Sequence, residues 1–211
     1  MILSKPVYRH VHLAALLLLI SGLLLGCQPL IQAPTPEADA TPVEEPTPVA
    51  ETRLGLPPVL LRIPAVSLEL PITPMGWVVT EVNGQRTTQW IVPLETVGWH
   101  VNSAGAGGTG NTILSGHQSN GAAVFAPLAL GDITVGQEVE LVDEQGAVFV
   151  YRITEISEPI PIVGATEEDN ALAQTYMGPT EVAQLTLITG WPDFTTTHRI
   201  FAIAEYVGPG A

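Results

Sequence analysis

Apolar and polar residues alternate with a period of two over much of the chain after its N-terminal third. Clear examples are residues 66–72 and the runs 138–142 and 148–153, which flank a turn-like Asp-Glu-Gln-Gly sequence. Successive side chains of a strand point to opposite faces, so this pattern predicts half-buried strands and, around that turn, a hairpin. Residues 185–189 and 200–207 predict two further strands. Short strands between glycine- and proline-rich loops indicate a closed or sandwiched β domain.

Helical periodicity is weak in this chain. The best candidate is the stretch 167–176, which begins with acidic residues directly after Thr166. Threonine is a favoured N-cap residue, and acidic side chains in a first turn complement the positive end of the helix dipole. We therefore predict a mainly β domain with one or two short helices.

The N-terminal segment 1–27 predicts an export signal. Lys5 and Arg9 precede an apolar run, 13–25, which is shorter than the roughly 20 residues of a membrane-spanning helix. The run is followed by Gly-Cys ending at Cys27, which resembles the lipobox of bacterial lipoproteins, whose cysteine is lipidated and becomes the mature N-terminus. We expect lipid on Cys27 to tether an extracytoplasmic protein to the bacterial cell membrane. The alternative is an uncleaved hydrophobic anchor with an incidental cysteine.

Residues 28–57 have the composition of a linker. Seven prolines fall in this stretch among interspersed acidic residues, and aromatic residues are absent from it. Such a segment buries too little apolar area to offset the entropy lost on ordering, and its prolines favour extended polyproline II conformations. We expect a disordered tether here. Residues 58–211 then form the folded domain, which is long enough for one hydrophobic core.

The charge balance excludes several classes of function. Seven lysines and arginines stand against 21 aspartates and glutamates, which gives a formal net charge of −14. Nucleic-acid binding requires basic side chains that displace counterions from phosphates, so we expect no nucleic-acid partner. Cys27 is the only cysteine, which excludes an intramolecular disulfide and a cysteine metal cluster.

Three stretches of the domain carry candidate chemistry. The first is the apolar strand 110–115, which leads to His117. The second is the strand 185–189, which is followed by Gly190, and the third begins at Arg199. A histidine after a strand or an arginine before one is common for structural reasons alone. These residues therefore indicate a catalytic site only in combination.

In order and setting, these stretches resemble the sortases, the cysteine transpeptidases of bacterial surfaces. The likeness covers most of residues 58–207. Its further parts are Arg-Ile-Pro at 62–64, Trp-Ile-Val-Pro at 90–93, Val-Gly-Trp-His at 97–100 and the segment 111–117. The resemblance implies an eight-stranded β-barrel. It also implies catalytic roles for His117 as general acid and base and for Arg199 as the group that stabilises the oxyanion.

The chain departs from the family pattern at the nucleophile. Sortases carry Thr-Leu-x-Thr-Cys on this strand, whereas residues 186–190 read Thr-Leu-Ile-Thr-Gly. In the family, the cysteine thiolate attacks a threonyl carbonyl of a sorting signal, and an amine or water resolves the thioester. Gly190 cannot form that intermediate. We therefore expect a sortase-like domain without transpeptidase activity, which binds an extended peptide, such as a sorting signal, or another envelope component in the inherited groove.

An active transpeptidase or hydrolase is the alternative function. It would use an unrecognised nucleophile, or Gly190 would stand where an original cysteine was changed. Ser115 precedes His117 by two residues and shares its face if the strand is regular, so it is one candidate hydroxyl. Thr189 is the neighbour of Gly190, and its side chain is expected to point away from the site. Ser115, Thr189 and Trp191 are also our candidates for substrate contact.

A metal site would have to combine His100, His117 and His198, which lack the short spacing of zinc ligands, so we expect neither a metal nor another cofactor. His198 is also expected to face away from Arg199. Trp191 is the tryptophan placed nearest the cleft, with burial in the core as an equal alternative. A purely structural spacer domain, which would bind no peptide, is a third function.

Overall fold

The computed structural model describes residues 54–82 and 84–211. The predicted export signal with Cys27, and the predicted linker up to residue 53, lie outside the described residues. The strands within them are β1 (Pro58–Ile63), β2 (Leu68–Met75), β3 (Trp77–Val82), β4 (Gln85–Trp90), β5 (Val97–His100), β6 (Gly110–Ser115), β7 (Glu138–Asp143), β8 (Val148–Ile156), β9 (Ile160–Pro161), β10 (Ala183–Trp191) and β11 (His198–Pro209). The helices are α1 (Ala126–Leu130) and α2 (Glu167–Met177).

Eight of these strands close into a barrel, which confirms the predicted fold class. Hydrogen-bonded neighbours follow the order β10, β6, β5, β2, β1, β7, β8 and β11, and the pairing of β11 with β10 completes the circle. The pairs β2–β5 and β6–β10 are parallel, and the other pairs of the circle are antiparallel. Strand β9 adds to β11 outside the circle, and β3 and β4 form a separate hairpin.

The period-two pattern of the sequence separates the inside of the barrel from the outside. On β10, Leu185 and Leu187 belong to the main core, while Ile188 belongs to a second cluster. On β11, Ala202 lies in the main core and Phe201 in the second cluster. Successive side chains of a strand point to opposite faces, so the main core fills the barrel and the second cluster lies on its outer surface.

Helix α2 covers part of that outer surface. Thr166 caps it, as predicted: its hydroxyl accepts from the backbone N–H of Asp169, whose carboxylate accepts from the Thr166 backbone N–H in return. Such a reciprocal cap satisfies two N–H groups that the first turn leaves unpaired. The ring of Tyr176 stacks on Phe201, with centroids 5.0 Å apart. Helix α2 is therefore fixed beside the strands that carry the candidate site.

The folded domain begins before residue 58. The backbone oxygen of Leu56 accepts from the N–H of Ala106 (2.8 Å), and that of Pro57 accepts from the N–H of Glu144 (3.1 Å). Gly55 packs so closely on Gly105 that a Cβ at position 55 would lie 2.5 Å from its carbonyl carbon. The last residues of the predicted linker thus contribute to the barrel.

A chain that starts at residue 58 should therefore be less stable than one that starts at residue 54. It leaves the buried N–H of Ala106 without its partner, and an unsatisfied buried donor costs about 1–3 kcal/mol. For a domain of this size, we expect a midpoint lower by roughly 3–10 °C in thermal unfolding. Equal midpoints for the two chains would show that residues 54–57 add nothing to the barrel.

No helix in the described part of the chain has the length and apolar character needed to span a membrane.

Candidate functional site

Four strands of the barrel place candidate residues on the same outer face. On β10 and β11, the side chains that point into the barrel belong to the main core. Gly190 and Arg199 occupy the alternate positions of these strands and therefore face outward. The same alternation turns Ser115 of β6 and His100 of β5 outward, because Leu114 and Val97 belong to the core. Since β10 lies between β6 and β11, and β5 lies beside β6, these positions converge on one patch of the barrel wall.

A pocket of about 300 Å³ opens on this patch. It is lined by His117, Gly190 and Arg199, the residues that the resemblance predicts as the catalytic positions, and also by Ser115 and Thr189. The other lining residues are Trp90, Val92, His100, Gly116, Gln118, Asn120, Ile162, Met177, Ile188 and Thr196. The structure thus brings the three predicted positions together at one site, although they come from separate parts of the sequence.

The backbone at Gly190 does not require glycine. The residue pairs with Arg199 across the β10–β11 ladder, and its φ lies outside the left-handed region. A Cβ at this position would lie 2.6–2.8 Å from the terminal amide atoms of Gln118, closer than real Cβ atoms approach a neighbour. Gln118 therefore occupies the space that a cysteine side chain at position 190 would enter.

Gln118 is held in that space by its own hydrogen bonds. Its side chain is buried, and Nε2 donates to the carbonyl oxygens of Pro192 (3.3 Å) and Thr195 (2.9 Å) and to Oγ1 of Thr196 (2.7 Å). These acceptors lie between β10 and β11, so the amide ties the segment after β6 to that loop. Gln118 was not among the predicted site residues, because its partners lie in a distant part of the sequence.

His117 follows β6 and is half-buried in the pocket wall. Its Nε2 lies 3.3 Å from the backbone oxygen of Val92, and its own backbone oxygen accepts from the N–H of Phe125 (2.9 Å). Within residues 54–82 and 84–211, no carboxylate contacts the ring. His117 therefore has a fixed backbone position but lacks the acidic partner that orients the histidine of a catalytic triad.

Ser115 pairs with His100 and not with His117. Its Oγ lies 2.8 Å from Nε2 of His100, and both residues are buried. Burial lowers the pKa of His100 from 6.5 to about 4, so the ring is neutral at pH 7. The ring of Trp90 lies beside it, with centroids 4.2 Å apart. The pair has the spacing of a nucleophile and its base, although an imidazole with so low a pKa is a weak base.

Arg199 supplies the cation of the pocket. Its side chain is half-buried, and desolvation lowers the pKa of the guanidinium. Among the described residues, neither an acidic side chain nor another hydrogen-bonding group contacts the guanidinium. Arg62 and Arg152, by contrast, form ion pairs with glutamates on the barrel surface. Arg199 is thus free to contact a bound molecule.

Trp191 does not line the pocket. It packs against the core of the barrel, and its ring meets that of His198 edge-on at 5.5 Å. His198 pairs with Trp191 across the ladder and so faces away from Arg199, as predicted. Thr189 borders the pocket, but its buried hydroxyl donates to the backbone oxygen of Gly116 (2.9 Å). Of the three residues predicted to contact substrate, Ser115 and Thr189 reach the pocket and Trp191 does not.

The described residues contain no group of three or more His, Cys, Asp and Glu side chains that could hold a metal ion. His100 and His117 both border the pocket, but His198 lies on the other face of the sheet.

Residues 61–207, more than half of the chain, match the family model for the sortase domain. The chain therefore belongs to the sortase family. A comparison with curated proteins gave no match.

Solved structures of sortases share the same fold. A lid mutant of sortase A from Corynebacterium diphtheriae is 22% identical, with a TM-score of 0.50 over 75% of this chain and 72% of that one. Sortase D5, a transpeptidase from Clostridium perfringens, is 19% identical, with a TM-score of 0.51 over 75% and 83%. Sortase A from Listeria monocytogenes is 23% identical, with a TM-score of 0.50 over 73% and 91%. At these identities, the likeness establishes the fold.

Proposed function

We propose that this chain is a surface-tethered sortase-family domain that lacks transpeptidase activity and binds an extended peptide without cleaving it. The observation that carries the proposal is the pair formed by Gly190 and Gln118. Position 190 offers no nucleophile, and a buried, hydrogen-bonded amide fills the space of the missing side chain. A cysteine side chain at position 190 would have to displace that amide and break its hydrogen bonds. The filled space favours a pocket adapted to work without a thiol.

The lining of the pocket supports peptide binding. Trp90, Val92 and Ile162 offer apolar surface, and His117 and Arg199 offer polar groups that can meet backbone carbonyls. Binding sites of this kind combine a mainly apolar wall with a few fixed polar groups. Sortases act on the sorting signals of surface proteins, so a peptide of that class is the ligand that the family membership favours.

The fluorescence of Trp90 provides a test, because this residue lines the pocket. Titration with an extended threonine-containing peptide should give a saturable change in the native chain, while the peptide remains intact by chromatography. The change should be lost in Trp90→Phe and kept in Trp99→Phe, whose tryptophan packs against the main core and is not among the pocket-lining residues. A spacer domain would show no change in any of the three proteins.

A second candidate function rests on the 2.8 Å contact between Ser115 and His100. A hydrolase that uses the Ser115 hydroxyl would have its base in place, with Arg199 in the same pocket. The low pKa of His100 and the burial of both residues make this the weaker proposal. Labelling of the native chain by a serine-reactive fluorophosphonate, and its loss in Ser115→Ala, would favour the hydrolase.

We also propose that lipid on Cys27 attaches the chain to the outer face of the membrane and that residues 28–53 serve as a tether. The described residues offer no apolar helix to replace the lipid, and the charge of the chain is unsuited to an anionic membrane surface. Cys27→Ser should move the protein from the detergent phase to the aqueous phase on phase separation, or leave an unprocessed precursor. Normal processing together with unchanged partitioning would contradict lipid anchoring.

A further inference from the structure

Arg199 is the only residue with a permanent charge in the lining of the pocket. None of the lining residues is aspartate or glutamate, although the chain has 21 of them. The guanidinium is half-buried and, within the described residues, has no ion-pair or hydrogen-bond partner. The pocket is therefore a positively charged site on a protein whose net charge is −14.

A ligand that covers Arg199 removes the water that still solvates the guanidinium. A neutral ligand leaves a desolvated cation with only partial compensation, which is costly. A carboxylate pairs with the guanidinium through two parallel hydrogen bonds and neutralises it. No acidic group in the lining competes for this position.

The Gln118 bridge beside Gly190 favours a chain end over an internal residue. Gln118 bridges to Pro192, Thr195 and Thr196 beside Gly190, and this bridge links the segment after β6 to the loop before β11. Arg199 lies directly opposite Gly190 in the ladder. An extended peptide that reaches Arg199 along the apolar wall therefore meets the Gln118 bridge, where a further residue would have to displace it.

We propose that the ligand of this pocket is a peptide with a free C-terminal carboxylate, which pairs with Arg199 while the preceding residues pack on the apolar wall. This inference rests on the proposed peptide-binding function and narrows it. Such a carboxylate stands at the natural C-terminus of a polypeptide and at the new C-terminus that a peptide-cleaving reaction leaves.

Calorimetric titration of the full chain in detergent tests the inference with matched probes. The probes are N-acetyl Leu-Ala-Ala-Thr with a free carboxylate, the same peptide as its C-terminal amide, and N-acetyl Leu-Ala-Ala-Asp as its amide, which carries the carboxylate on a side chain. We expect the free acid to bind at least roughly tenfold more tightly than the first amide, a difference of about 1.4 kcal/mol.

Variants of two arginines test whether Arg199 causes the tighter binding of the free acid. Arg199→Gln should abolish the difference between acid and amide, and Arg199→Lys should restore part of it. Arg86→Gln removes the same charge from an exposed position outside the pocket and should leave the preference unchanged.

The possible failures are distinguishable. Equal binding of acid and amide in the native chain would overturn this inference and leave the proposed function standing, and absence of all binding would overturn both. A preference that survives in Arg199→Gln would place the carboxylate elsewhere. If the aspartyl amide binds as tightly as the free acid, the pocket also recognises the carboxylate of an acidic side chain. The proposal that it selects a free C-terminus is then wrong.

Discussion

Acidification from pH 7 to pH 4 should lower the free energy of unfolding of the native chain by about 3 kcal/mol more than that of His100→Gln. Burial lowers the pKa of His100 to about 4 in the folded protein, against an ordinary value of 6.5. Between these values the unfolded chain binds a proton that the folded chain does not, so stability falls as the pH is lowered through this window. The magnitude follows because a pKa difference of one unit corresponds to about 1.4 kcal/mol.

Urea unfolding at several pH values measures this effect directly. Glutamine carries no charge at any of them, so the difference between the two proteins isolates His100 from the carboxylates that both chains share. Above about pH 7.5 the difference should be constant, because His100 is then neutral in the unfolded chain as well. Parallel stability curves down to pH 4 would show that the ring takes up its proton without cost, and that it is not buried as described.

Gly190→Cys should give a reactive thiol only when Gln118 is shortened as well. In the single variant, the new side chain and the Gln118 amide compete for one space, and displacement of the amide costs about 1–3 kcal/mol in lost hydrogen bonds. Gly190→Cys with Gln118→Ala removes that conflict. The neighbouring guanidinium of Arg199 then favours thiolate, so the pKa of the new thiol should lie below its usual value of about 8.5.

Alkylation rates at pH 7 in a Cys27→Ser background test this prediction. A pKa lowered by about one unit raises the thiolate fraction at pH 7 roughly eightfold, and the alkylation rate by roughly threefold, because a thiolate of lower pKa is a weaker nucleophile. Val207→Cys provides the control, because position 207 is exposed on the same strand as Arg199 and far along it from the pocket. If the single variant reacts as fast as the double variant, Gln118 does not block the site.

The fold was largely predictable, because one physical signal dominates the sequence. Alternation of apolar and polar residues identified the 138–153 hairpin and both long C-terminal strands, and the cap at Thr166 identified α2. The closure of the barrel came from the resemblance, since alternation alone does not distinguish a barrel from a sandwich.

The pocket was predictable only in part. The family motifs led to His117, Gly190 and Arg199, which share one pocket in the structure. Trp191 follows Gly190 directly, which predicts a place near the cleft. The alternation that turns Thr189 inward applies equally to Trp191, however, and in the structure Trp191 packs against the main core.

The polar contacts of the pocket could not be read from the sequence. Gln118 bonds to atoms of the distant loop between β10 and β11, and Ser115 bonds to His100 of the adjacent strand. Both contacts depend on the order of strands in the barrel, in which β6 lies between β5 and β10. Sequence proximity suggested His117 as the partner of Ser115, whereas strand pairing brings it beside His100.

We propose that the native pocket forms no covalent intermediate, because position 190 lacks a nucleophile. Intact-mass spectrometry after incubation with a sorting-signal peptide tests it most directly, on native protein and on Gly190→Cys with Gln118→Ala, both in a Cys27→Ser background. We predict that the native mass stays unchanged and the peptide intact, whereas the double variant gains the mass of the acyl fragment, and loses that gain when His117→Ala is added. An acyl adduct on the native chain, or peptide cleavage by it at the rate of the double variant, would show that the native pocket has a nucleophile of its own.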